Sequence, residues 1–126
     1  MRRDDRGAAV VDFVLVSLVL IPLVLAIVQL ALVLHVRNTL TAAATEGARY
    51  AATIDRSPAE GAARTKAQIS GAIAARFASA VTARQTMVNG VPEVEVSVNA
   101  RVPALGLWGP AVHLKVSGHA VKESVP

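Results

Sequence analysis

The feature that limits this chain most is the run from Phe13 to Leu34, 22 residues without a formal charge, interrupted only by Ser17, Pro22 and Gln29. About 20 apolar residues cross the hydrocarbon core of a bilayer, so the run has the length of a single transmembrane helix. A buried helix of a globular protein is normally shorter or amphipathic. A secretory signal has an apolar core of only about 7–15 residues, and the small-residue site Ala42-Ala43-Ala44 lies well past the end of this run. Removal as a signal therefore ranks second to membrane spanning. Pro22 bends such a helix or frees a carbonyl, which neighbours in a bundle tolerate.

Arg2, Arg3 and Arg6 precede the run, and Arg37 is the one cation between its end and Arg49. Lys and Arg near the ends set orientation, so the short head is expected in the cytoplasm and the body from about His35 outside. The net charge of +4 is scattered, with no basic run longer than Arg2-Arg3 and no aromatic platform beside it. That pattern is a solvated surface and argues against nucleic-acid binding. With no cysteine, disulfides and thiolate metal or redox chemistry are excluded.

Asp12 stands at the front of the apolar run, where a carboxylate is costly unless it lies at the interface or meets a cation. A local reading has the helix dipole favour it by about 0.3–1 kcal/mol. A second reading requires a cut after Gly7. The new amine on Ala8 would then lie four residues before Asp12 on about the same helix face, and Asp12 of one subunit would neutralise the amine of another.

Gly7, the small residues after it, Asp12 and Phe13 together resemble the prepilin-peptidase site of type IV pilin-like proteins. The stretch Val36-Arg37-Asn38-Thr39-Leu40-Thr41-Ala42-Ala43-Ala44-Thr45-Glu46-Gly47-Ala48-Arg49-Tyr50-Ala51 resembles the TadE-like proteins of tight-adherence (Flp) pilus systems. The resemblance is carried by roughly the first 54 residues. It implies a pseudopilin with a cytoplasmic leader at 1–7, cut between Gly7 and Ala8 by a prepilin peptidase, with Asp12 and Phe13 aligning subunits. The family usually carries Glu where this chain has Asp12, one methylene shorter.

Helix formers dominate from Ala8 to Ile54, and no Pro or Gly interrupts between Pro22 and Gly47. A helix over 8–54 is about 70 Å long at 1.5 Å per residue, of which about 30 Å crosses the bilayer at 13–34 and the rest stands outside as a stalk. Ala43, Gly47 and Ala51 recur every four residues, as do Ala44, Ala48 and Ala52, which makes faces where another helix packs closely. The partner is another subunit or, for at least part of the stripe, the stalk's own domain. Glu46 and Arg49 are spaced for a local ion pair.

Residues 57–122 read as a small α+β domain outside the membrane. Ser57, Pro58 and Glu60 form a capping-box start to a second helix, from Pro58 to about Ser79, with Ile69, Ile73 and Phe77 on its apolar face. Val94, Val96, Val98, Ala100 and Val102 alternate with polar residues, and Val112, Leu114, Val116 and Ala120 do so again, giving two half-buried strands. Asn89-Gly90 marks a hairpin from a short earlier strand at Met87-Val88, and Pro92 weakens it. The connection from Pro103 to Pro110 is too long for a tight hairpin and carries Trp108, either tucked beneath it or anchoring a partner. His113 and His119 lack a third ligand at metal-site spacing, and Glu93 and Glu95 are ordinary solvated acids.

The expected fold is therefore α+β, with a long N-terminal transmembrane and stalk helix and a second helix packed on a short antiparallel sheet. No nucleophile–base pair, phosphate loop or cleft with paired acids is present, so the chain reads as structural rather than enzymatic, with no cofactor, metal or small-molecule substrate. The expected partners are membrane lipid, the prepilin peptidase and other pilus subunits. An uncleaved single-pass anchor presenting a binding domain is the alternative.

Overall fold

The computed structural model describes residues 2–106 and 110–124. One helix, α1, runs unbroken from Arg2 to Ala52 and passes through Pro22. At 1.5 Å per residue it is about 75 Å long. A tight turn reverses the chain into α2, Pro58–Ser70. Three strands follow, β1 (Ala78–Val88), β2 (Val91–Pro103) and β3 (Ala111–Val121), forming an antiparallel sheet in the order β1-β2-β3. The architecture is α+β.

The start of α2 is built by its sequence. Ser57 accepts from the Glu60 amide at 3.3 Å, and the Glu60 carboxylate accepts from the Ser57 amide at 2.7 Å. The helix ends earlier than its apolar spacing suggests, at Ser70 rather than near Ser79. Gly71 closes it, the Ala72 amide turns back to the Ile69 carbonyl at 2.8 Å, and a 3-10 turn over Ile73–Phe77 leads into β1. Ile69 and Phe77 are both buried, one on the helix and the other at the end of the turn.

The expected strand at Met87-Val88 is an 11-residue strand in the structure. Its two-residue hairpin has positive φ at Asn89 (52°) and Gly90 (81°), which suits the twist of the flanking strands. Pro92 lies in β2 opposite Met87, before β3 begins to pair at Glu93, so its missing donor is not needed there.

The core lies between the C-terminal half of α1 and the inner face of the sheet. Val36, Leu40, Ala44 and Ala48 of α1 meet Val96, Val98, Val102 and Val116, with Ile69 and Phe77 closing one side. Alternation on β2 places Val94, Val96, Val98, Ala100 and Val102 in this layer, all buried. On β3, Val116 and Gly118 are buried, Leu114 and Ala120 are half-buried, and Val112 is exposed near the strand's start.

The two small-residue stripes of α1 serve two different partners. Along the first, Gly47 and Ala51 meet Gly61 of α2, and the buried Thr65 hydroxyl lies against the Ala43 carbonyl at 3.4 Å. Along the second, Gly118 of β3 sits on the backbone of Ala44 and Thr45. Small residues let the backbones come this close, and the resulting fine packing offsets the scarcity of large side chains.

Candidate membrane and assembly surface

Before Val36, α1 has no such partners over most of its length. From Val10 to Leu34 its Val, Leu and Ile side chains project into open surface, apart from half-buried Leu32 and Val33, and Phe13 is 74% exposed. The cost of leaving this much apolar surface in water makes it an interaction surface. The helix is long and apolar enough to cross a membrane. Around Pro22 the side chains of Phe13, Ser17, Leu18 and Ile21 shape a shallow apolar groove.

The front of the helix carries the junction residues. Gly7 is helical with open space around it, and Ala8, Asp12 and Phe13 are exposed on the same helix, Asp12 and Phe13 one turn beyond Ala8. Ala8 and Asp12, four residues apart, lie one above the other on one face. Ala43, Gly47 and Ala51 lie about 50 Å farther along α1, buried against α2. The structure thus separates the junction from the small-residue stripe by most of the helix.

The Glu46–Ala51 segment is where the domain is clamped to α1. Gly47 admits α2, while Ala48 and Ala51 are fully buried. Tyr50 lies between two cations, with the Arg56 guanidinium 4.8 Å and the Arg64 guanidinium 5.5 Å from its ring centre. Arg56 also pairs with Glu60 at 3.6 Å. Glu46 and Arg49 form no ion pair with each other among the described residues; Glu46 is half-buried and Arg49 points to solvent. Lys122 closes the end of α1 by donating to the carbonyls of Ala51 (3.2 Å) and Arg56 (2.7 Å). The Glu123 amide adds a bond to Ala52 at 2.8 Å. The bonds to Ala51 and Ala52 satisfy carbonyls that the end of α1 otherwise leaves without partners, and the bond to Arg56 ties down the turn that follows.

The outer face of the sheet is polar. Glu95 accepts from the Ser97 hydroxyl at 3.0 Å and pairs with Arg84 at 3.3 Å. The bond from Ser97, followed by the Arg84 contacts, holds the Glu95 carboxyl below the usual carboxylate range. His119 Nδ1 stands 3.9 Å from Glu93 and 4.0 Å from Glu95, and His113 lies farther along the same strand. Trp108 falls outside the described residues.

Two interactions that tie distant parts of the chain together have no local signature that reveals their partners. One is the Lys122 cap, which has no local signature because its partners are more than 60 residues away. The other is Gln29, visible only as an interruption of the apolar run. Its amide nitrogen donates to the Pro103 carbonyl at 3.4 Å and its oxygen accepts from the Leu105 amide. A lone carboxamide among aliphatic residues was the available signal, since such a group needs partners.

The junction, the exposed run and the start of the domain-bearing wall form one continuous segment. Residues 7–49 match the TadE-like protein family. The TadE-like segment stops just before the turn into α2, so α2 and the sheet lie beyond it. No curated protein and no solved structure matches the chain.

Proposed function

We propose that this protein is a minor pilin or pseudopilin of a tight-adherence pilus or a related export machine. The apolar part of α1 spans the cell membrane with its N-terminus in the cytoplasm, and the α+β domain stands outside, available to a surface pilus. A prepilin peptidase cuts between Gly7 and Ala8. The freed amine of Ala8 on one subunit is then neutralised by Asp12 of another as the helices pack side by side, with Phe13 beside the contact.

The observation that carries this reading is the continuity of the TadE-like segment. A small-residue junction leads directly into an exposed apolar helix whose far end is one wall of a folded domain. The domain is positioned to make contacts while the bare helix is left for lipid or neighbouring helices. Intact mass and N-terminal sequencing of protein from membranes, with and without an active prepilin peptidase, test the reading. A mature chain beginning at Ala8 only when the peptidase is active is expected. A chain still beginning at Met1 in its presence overturns processing and leaves an uncleaved anchor.

A further inference from the structure

We propose that the described residues at the β2–β3 end of the domain, Pro103–Leu105 and Pro110–Val112, form a second membrane contact: a shallow apolar tip, tethered by Gln29, that enters the outer leaflet beside α1 beneath a collar of cations. The inference rests on the reading of α1 as membrane-spanning and adds to it where the folded domain sits.

Two independent rulers place this tip at the depth of the apolar run. Gly118 of β3 lies on Ala44 and Thr45 of α1. From Gly118 back to Ala111 the strand covers about 24 Å at ~3.4 Å per residue. From Thr45 back to Gln29 the helix covers about 24 Å at 1.5 Å per residue. The two descend together, and the bonds from Gln29 to Pro103 and Leu105 are where they meet. Counted from Phe13, a hydrocarbon core of about 30 Å ends near Val33. Gln29 then lies about 6 Å inside it, a depth typical of interfacial insertion.

The chemistry of the tip fits that depth. Pro103, Ala104, Leu105, Pro110, Ala111 and Val112 carry no charge, and Leu105 and Val112 are exposed. Leu105 holds φ at 53°, uncommon for a side chain of its size. The turn is closed by the Ala104 amide donating to the Pro110 carbonyl at 3.2 Å. Irregular backbone at membrane depth needs its polar groups satisfied from within the protein, and the Gln29 carboxamide does this for one donor and one acceptor.

Charge supports the same placement. Arg101 and His113 face each other across the ladder about 7 Å above the tip, while Arg37 and Lys115 lie about 12–14 Å above it, at headgroup height. All four are exposed. Beyond the apolar run, the acidic residues among those described are Glu46, Asp55, Glu60, Glu93, Glu95 and Glu123, all about 25 Å or more above the tip. A cationic collar over an apolar tip is complementary to a bilayer containing anionic lipid.

The chain has no cysteine, so single-cysteine spin labels report cleanly. The full chain is placed in phosphatidylcholine vesicles with and without phosphatidylglycerol, labelled at Leu20→Cys, Leu105→Cys or Asn89→Cys. Oxygen is expected to relax the Leu20 and Leu105 labels several-fold more than a water-soluble nickel chelate does, and Asn89 the reverse. In the Leu105→Cys background, Gln29→Ala is expected to release the tip and reverse its preference while Leu20 is unchanged. Removing the collar charges with Arg101→Gln and Lys115→Gln is expected to abolish any deepening caused by phosphatidylglycerol. A nickel-accessible Leu105 label beside a lipid-buried Leu20 label overturns the tip alone. A nickel-accessible Leu20 label overturns the spanning helix and the tip with it. A Leu105 label shielded from both agents indicates a protein partner and overturns the lipid assignment.

Discussion

Gly47 of α1 and Gly61 of α2 face each other so closely that a Cβ on Gly47 would lie 2.7 Å from the Gly61 carbonyl oxygen and would collide with the Thr65 hydroxyl. The nearest obstruction is the Thr65 side chain, which is fully buried, and the Gly61 carbonyl beside it is backbone and cannot rotate away. Gly47→Ala is expected to push the helices apart and lower stability by about 1–3 kcal/mol, the usual cost of overpacking. Gly7→Ala, with nothing within 4 Å, is the control and should not lower stability. Thermal unfolding in detergent followed by circular dichroism measures both. Thr65→Ala should rescue Gly47→Ala only in part, because the carbonyl of Gly61 remains.

Gly118→Ala should be worse than Gly47→Ala. The added carbon would fall 2.5 Å from the Ala44 carbonyl carbon and closer still to the Thr45 amide nitrogen, both backbone atoms of the C-terminal part of α1. Neither helix nor sheet can yield without opening the core around Val96, Val98 and Val116. The expected signature is loss of protease resistance across the 57–122 region with the helical signal of residues 5–34 retained. Equal stability of the two variants would contradict this packing account.

Much of this architecture is legible in the chain. The apolar run, the capping box, the Asn89-Gly90 turn and the alternation on β2 all depend on local spacing, which side-chain periodicity reveals. Most of β1, before Met87, leaves no clear local mark because its inner face there is Val81, Ala83 and Gln85, a weak alternation after an alanine-rich stretch that favours helix. Only pairing with β2 makes it a strand, a tertiary effect that local propensity does not register. The same holds for Lys122 and Gln29, whose partners lie 66–76 residues away. At the junction, sequence supplies Gly7, Ala8, Asp12 and Phe13, while the structure adds their exposure and shared helix.

Lys122→Met keeps the aliphatic stem but removes the ammonium that donates to Ala51 and Arg56. The loss leaves helix-end carbonyls to water and is expected to cost about 0.5–1.5 kcal/mol. Chemical denaturation measures it. Lys122→Arg, which keeps a donor, should lose less.

Acid should weaken the domain through Glu95. Its folded-state carboxyl is held below the ordinary value of 4.5 by Ser97 and then Arg84, so the folded state binds its proton less readily than the unfolded chain. The resulting stability is fully present above the unfolded value and is lost as pH falls through the lower, folded one. Glu60 acts in the same direction, chiefly through the Ser57 amide. Melting temperature followed downward from neutral pH should therefore fall below about pH 4.5, and Glu95→Gln should show a shallower fall. An unchanged slope in Glu95→Gln would remove this residue from the account.

Asp12 separates a pilin-like subunit from a plain anchor. It is exposed, four residues from Ala8, with no partner inside its own chain among the described residues, so its substitution should leave the domain's unfolding unchanged. An anchor would tolerate Asp12→Ala, since removing a carboxylate from the front of a spanning helix relieves a desolvation cost. A subunit that must neutralise a neighbour's Ala8 amine would insert normally but fail to assemble. Asp12→Glu should then restore assembly by extending the reach by one methylene, whereas Asp12→Asn, uncharged and nearly isosteric, should not. Quantifying sheared surface filaments and membrane-retained protein for the three variants reads out both steps. Assembly in Asp12→Ala at the wild-type level would rule out the charge-neutralising role and favour the anchor.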